Sequence, residues 1–149
     1  MTVTMSDVRA LLDPDEPNYD TAVELGPEAL PVLEQLVRGD DPMLAAKAAY
    51  LASLIPGDQR LAVLDAAATS VEPTVRIAAA AGLRNLSAAD ADDLADNLLG
   101  DADFGVRKQA LQSATVFRAP AMTERLRRVA ETSSDEILRE MAADSLRER

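Results

Sequence analysis

Glu72-Pro73-Thr74-Val75-Arg76-Ile77-Ala78-Ala79 is followed, 31 residues later, by Asp103-Phe104-Gly105-Val106-Arg107-Lys108-Gln109-Ala110, and this pair of octapeptides decides the fold. The same step, taken backwards, lands on Asp41-Pro42 with Leu44 and Ala48. It also superposes Leu33, Leu64, Ala95 and Leu126, and then Leu36, Ala67, Leu98 and Val129. A last copy, Asp135 with Leu138 and Ala142, arrives one residue late because the turn Thr132-Ser133-Ser134 is longer. Glu16-Pro17 with Tyr19 and Val23 reads as an earlier copy whose second helix is shortened, as in the atypical terminal units of repeat proteins. The chain therefore divides into about five units, over residues 5–26, 27–56, 57–87, 88–118 and 119–149, within one repeat domain over residues 1–149.

Inside each unit the apolar residues recur at steps of three and four in two runs, for example Leu30, Leu33, Leu36 and Val37, and then Val75, Ala79, Leu83 and Leu86. Each unit is thus a helix pair. Boundary signals agree: proline at presumptive first helical positions (Pro27, Pro42, Pro73, Pro120), acids just before it, a Ser87-x-x-Asp90 box, and glycine at 26, 39, 57 and 100. No stretch shows strand-like alternation bounded by turns. The spacing predicts an all-α chain with helices over 6–12, 17–25, 27–38, 42–55, 58–69, 73–86, 88–99, 104–117, 120–131 and 135–148. One pair cannot cover its own apolar stripe, so the pairs must stack in a row, an α-solenoid. Alanines at the column positions let the helices approach closely, while Leu64, Leu83, Leu98 and Leu126 fill the space between layers.

Composition narrows the function. The 149 residues include 28 Ala and 20 Leu but only 2 Phe, 2 Tyr and no Trp, Cys or His. Absence of cysteine excludes a disulfide scaffold, a thiol nucleophile and thiolate metal sites. Absence of histidine removes the commonest general base and zinc ligand. The net charge of −11 resides in residues 1–117, with 19 acidic and 8 basic side chains, while residues 118–149 hold 7 of each. Such a surface repels phosphate, and no nucleic-acid partner is expected. The basic cluster Arg118, Arg125, Arg127 and Arg128 is interleaved with Glu124 and Glu131 at helical spacing, the pattern of a solvated helix face. Neither a basic-then-apolar leader nor an apolar run of membrane-spanning length occurs, so a cytoplasmic protein without membrane contact is expected.

Leu25-Gly26-Pro27-Glu28-Ala29-Leu30-Pro31-Val32-Leu33, with the recurring pattern acid-x-x-x-Arg-x-x-Ala (Glu72 to Arg76 to Ala79; Asp103 to Arg107 to Ala110; Asp135 to Arg139 to Ala142), resembles bacterial HEAT-like repeats, the short variety also called phycobilisome-lyase-type repeats. The resemblance covers residues 16–149. It implies an α-solenoid with first helices on the convex side and second helices lining a concave, binding side. The sequence departs from the pattern at Ala45, where the column would carry Arg, and in the shortened first unit.

Little in the chain signals chemistry. Arg76, Arg107 and Arg139 could form an anion ladder, but pairing with the acid four residues earlier accounts for them without a ligand. The acidic group Asp90, Asp92, Asp93, Asp96, Asp101 and Asp103 lacks the closing glutamate of a calcium loop and reads as a solvated face. Plentiful Asp and Glu leave carboxylate-pair chemistry open in principle, yet nothing singles out a pair. Ser53, Ser113 and Ser145 have no histidine to activate them. No metal, no cofactor and no catalytic residue are expected, and hence no enzyme. What remains is the side of the second helices opposite Val75, Ala79, Leu83 and Leu86. At 100° per residue it carries Ile77, Ala80, Ala81 and Arg84, and the repeat places Ala46, Ala49, Tyr50, Ser53, Lys108, Leu111, Gln112 and Thr115 beside them. This strip holds no acid in a chain with 26 of them, and it ends in the last unit at Glu140 and Asp144.

Tyr50, Ile77, Arg84, Lys108, Leu111 and Gln112 are accordingly the candidate contacts for a protein or peptide partner, in a non-enzymatic adaptor. Two other classes stay open. One is an enzyme or chaperone on the same scaffold, as the resemblance to alkylpurine DNA glycosylases and bilin-attachment lyases implies, although two Tyr and two Phe offer little for base stacking. The other is a structural subunit, including a homo-oligomer joined through the ends of the row.

Overall fold

The computed structural model describes residues 2–149, and among them every regular element is a helix. The elements are α1 (Met5–Leu12), α2 (Tyr19–Ala22) continued by a 3-10 turn (Val23–Leu25), α3 (Leu30–Val37) preceded by a 3-10 turn (Pro27–Ala29), α4 (Pro42–Leu54) and α5 (Arg60–Ala68). Then come α6 (Pro73–Gly82) with a 3-10 turn (Leu83–Asn85), α7 (Ala88–Leu99), α8 (Phe104–Ala114), α9 (Pro120–Thr132) and α10 (Glu136–Arg147). Each expected helix is found, in consecutive pairs α1/α2 to α9/α10, and the row is an α-solenoid.

The ends of the helices follow from side-chain chemistry. Asp41, Ser87, Asp103 and Asp135 each accept a hydrogen bond from a backbone N–H of the first turn, at 2.9–3.3 Å. Pro42, Pro73 and Pro120 occupy first helical positions, where no N–H is needed. The Ser87 box is half made, because the Asp90 carboxylate turns to Arg60 instead of back to the cap, whereas Thr4 and Asp7 form a complete one. The helix expected over 17–25 begins only at Tyr19, since Asn18, not the residue before Pro17, caps it through Thr21 N. That over 58–69 begins at Arg60, and that over 104–117 closes at Ala114. Gly26 carries φ +73° at the joint between the two 3-10 turns, a backbone open to glycine at little steric cost.

One apolar cluster runs the length of the row, from Val8 to Ala142. The second helices pack on one another far more closely than the first helices do, from α4 through α6 to α8. Spacing of that kind bends the row toward the second helices and makes theirs the inner layer. Small residues permit it: a Cβ added at Gly82 of α6 would lie 2.6 Å from the Cβ of Ser53 of α4, and Ser113 Oγ of α8 donates to the Ala80 carbonyl oxygen at 2.6 Å. The stacking loosens at its last step, where α10 packs on α9 but touches α8 much less. The extra residue in the turn Thr132-Ser133-Ser134 sits at that step.

Candidate functional site

Helices α4, α6 and α8 contain no Asp or Glu at all, although the chain has 26. Acids flank these three helices as caps, at Asp41 and Asp103, and before α6 as Glu72, whereas the terminal second helices carry acids of their own, Asp20 on α2 and Glu136, Glu140 and Asp144 on α10. The three middle second helices, with the 3-10 turn after α6, hold Lys47, Arg76, Arg84, Arg107 and Lys108. Arg84 and Lys108 are exposed, and neither has a carboxylate partner among the described residues. Arg84 Nε reaches Ser113 Oγ at 3.4 Å, which aims the guanidinium across α8.

Arg84 and Gln112 meet in one cavity of about 560 Å³, walled also by Thr115, Val116 and Arg118 and, from α10 and its end, by Met141, Asp144, Ser145 and Glu148. Lys108 stands one turn along α8 from Gln112. Val116 is one of the few large apolar side chains left exposed, at 53%. Arg149 lies across this end and donates to the carbonyls of Phe117 and Thr115. Burial is the leading cause that holds the Arg149 guanidinium below its ordinary value, with the Arg118 charge second.

Three expected contacts fall differently. Leu111 is 1% exposed, a core residue, so its placement on the open strip is corrected; Ala49, Ala80 and Ser53 are buried as well. The reason is that a second helix inside the row touches three neighbours, its own first helix and the second helices on both sides, so its apolar arc exceeds the stripe that a single interface needs. Ile77 is half-buried, its Cδ1 lying where a Cβ on Gly105 of α8 would meet it at 3.3 Å. Tyr50 is half-buried because the chain's own N-terminal part lies over it. Its ring packs edge-on against Tyr19 with centroids 5.0 Å apart, and Lys47 Nζ donates to the Pro14 carbonyl at 2.8 Å. Burial, and then the neighbouring Tyr50, push the Tyr19 phenol above its ordinary value. The strip is therefore covered at its N-terminal end and open over α6 and α8.

The other charged clusters are tied up between repeats. Arg125 of α9 donates to Asp92 at 2.5 Å and Asp96 at 2.9 Å on α7, and Arg60 of α5 reaches Asp90 at 3.5 Å. The hydrogen bond from Arg125 is the main cause that holds the Asp96 carboxyl below its usual range, and the same bond raises the arginine. Arg76 grips Asp101 with two bonds, Nε to Oδ2 at 2.9 Å and Nη2 to Oδ1 at 3.3 Å. Burial pushes Asp101 up. The Arg76 bonds, the N–H of Asp103 and the Arg76 and Arg107 charges outweigh it, and the carboxyl lies below its usual range. The arginine column does not pair four residues back, as the spacing predicts. Each member instead donates Nη1 to the carbonyl six residues earlier: Arg76 to Ser70, Arg107 to Asp101 and Arg139 to Ser133, at 2.7–2.9 Å. They anchor the turn that joins the two helices of a unit.

Residues 60–147 match the family model of HEAT repeats, more than half of the chain. The chain belongs to the HEAT-repeat family. Among solved structures, it is similar to a chain in the complex of CpcE and CpcF of phycocyanin lyase from Nostoc sp. PCC7120, with 23% identity over 95% of this chain and 96% of that one, and a TM-score of 0.71. That likeness shows a shared fold. Comparison with curated proteins gives no match. No described helix of this HEAT-repeat chain is long and apolar enough to cross a membrane.

Proposed function

We propose that this HEAT-repeat chain is a protein-interaction module, an adaptor that holds an acidic or neutral segment of a protein partner along the open part of the inner layer. Arg84, Lys108 and Gln112 supply the polar contacts, with Ile77 and Val116 as the apolar ones. One observation carries the reading: on a chain of net charge −11 the three middle second helices hold no acid, and the two cations exposed on them lack carboxylate partners within the chain. Such a surface favours approach of negative groups and leaves desolvation of Arg84 and Lys108 to be offset by the partner. Tyr50 lies outside the open stretch, under the N-terminal cover. The sequence expectation of a chain without enzymatic activity is not supported by the comparison, since the similar structure is that of a phycocyanin lyase complex. A lyase-like role is therefore the second reading, favoured by that likeness over nearly the full length of both chains.

The test is capture of partners from the native host with the wild-type chain and with Arg84→Glu/Lys108→Glu. Both positions are exposed, so helical dichroism should not change. Recovery of a protein by the wild type alone, weakening as salt rises, is the expected result. Equal recovery by both chains refutes the surface. Bound pigment in the recovered complex would favour the lyase-like reading.

A further inference from the structure

The repeat lattice gives the same crevice three times, between the turn of one unit and the second helix of the unit before it. Its two decisive positions are occupied differently each time. Between the second and third units they are Ala45 and Ser70, lining a cavity of about 490 Å³. Between the third and fourth they are Arg76 and Asp101, joined by the bidentate ion pair. Between the fourth and fifth they are Arg107 and Ser133, lining a cavity of about 570 Å³. Arg107 uses its Nη1 as Arg76 does, on the turn carbonyls of Asp101 and Ala102 at 2.8 and 3.0 Å, and Phe104 lies 5.9 Å from its guanidinium carbon. The edge with which Arg76 takes a carboxylate, Nε–H and Nη2–H, meets no acceptor from the described residues in Arg107. Ser133 holds the backbone as Asp101 does: Ser133 Oγ accepts from Asp135 N at 3.2 Å, and Asp101 Oδ1 accepts from Asp103 N at 2.9 Å. The crevice between the fourth and fifth units thus offers the arginine but not its acid.

We propose that this crevice binds an organic carboxylate. Its two oxygens take the Nε–H and Nη2–H of Arg107 in the geometry that Asp101 shows on Arg76. Arg128, which has no carboxylate partner among the described residues, is the second cation, and Leu99, Val129 and Leu138 surround the apolar stem. A planar fork suits a carboxylate. Asp96 and Asp101 on the same walls disfavour a doubly charged phosphate. The volume suits a small ligand. The carboxylate comes either from a small acid or from the end of a polypeptide. This inference goes beyond the partner-binding surface, and its test involves neither Arg84 nor Lys108.

The experiment is an amide and arginine-Nε NMR titration of the full chain. The probes are sodium hexanoate, hexanamide, inorganic phosphate, and acetyl-leucyl-alanyl-leucine as free acid and as amide. Hexanoate or the peptide acid should move the Arg107 Nε–H and the Ser133 and Ser134 amides saturably, while both amides and phosphate should not. Tighter binding of the peptide acid than of hexanoate assigns the source to a chain terminus, and the reverse order to a small acid. Ser133→Asp supplies the missing carboxylate from within. It should keep its helical dichroism, raise the melting temperature and weaken binding by about tenfold or more. Absence of saturable shifts with either acid overturns the proposal, as does binding of phosphate in their place or an unchanged affinity in Ser133→Asp.

Discussion

Gly82→Ala tests the close approach of the inner layer. Gly82 has ordinary helical angles, φ −71° and ψ −17°, so alanine would relieve the helix of an entropic cost of about 0.5–1 kcal/mol if space allowed. Space does not allow it. The new Cβ would stand 2.6 Å from Ser53 Cβ and 2.8 Å from its Oγ. Ser53 cannot swing away, because its Oγ donates to the Tyr50 carbonyl at 2.6 Å and accepts from Asn85 Nδ2 at 3.0 Å, and its Cβ is fixed to α4. Overpacking of this kind costs about 1–3 kcal/mol. At mid-range, about 2 kcal/mol of overpacking less about 0.75 kcal/mol of helix gain leaves a loss of about 1.25 kcal/mol, which at this chain length lowers the melting temperature by about 2.5–5 °C. Thermal melting followed by dichroism measures it. Adding Ser53→Gly should return part of the loss by reversing which helix carries the Cβ. A Gly82→Ala chain that melts at or above the wild type would refute the claim that α4 and α6 need a residue without a side chain there.

Leu98→Ala should cost about 2–5 kcal/mol in urea unfolding, since Leu98 is fully buried; a loss well under 1 kcal/mol would mean that the face is misplaced. Gly26→Ala should cost about 1–3 kcal/mol through backbone strain alone, because φ is +73° and nothing lies within 4 Å of the added Cβ. Asp96 and Asp101 have folded pKa values below the ordinary 3.8, so their stabilisation is present above that value and is lost as pH falls through the depressed ones. Asp101→Asn should therefore lose about 1–3 kcal/mol at neutral pH and show a flatter fall in stability below about pH 4; an unchanged acid limb in denaturant titrations counts against the Arg76 pair as a stabilising one. Light scattering on the purified chain separates a monomer from a row extended end to end.

Much of the scaffold was legible because helix formation and capping are local. The acidic starts at Asp41, Glu72 and Asp103, the first two followed by proline, the serine cap at Ser87 and the 3.6-residue apolar rhythm name the helices without any neighbour present. The absence of acids from the three middle second helices was legible too, since it is a matter of which residues share a helix. Leu111 was not: periodicity marks the first face of a helix to be buried but cannot count how many neighbours it will have. Nor were the partners of the arginine column. A step of four residues satisfies the pairing rule for an isolated helix, whereas Arg76, Arg107 and Arg139 find turn carbonyls, and Arg76 the next repeat's carboxylate, only when the units are stacked.

By itself the sequence determined that this chain is a row of helix pairs, because each pair leaves an apolar stripe that only another pair can cover. Tertiary structure alone decided which of the exposed positions stay exposed. Residues 14–19 fold back across Tyr50 and Lys47, and α10 packs on α8 much less than α8 packs on α6, with a cavity on either side of it. Both outcomes depend on contacts between residues more than 20 apart in the chain, for which no local rule in the sequence speaks.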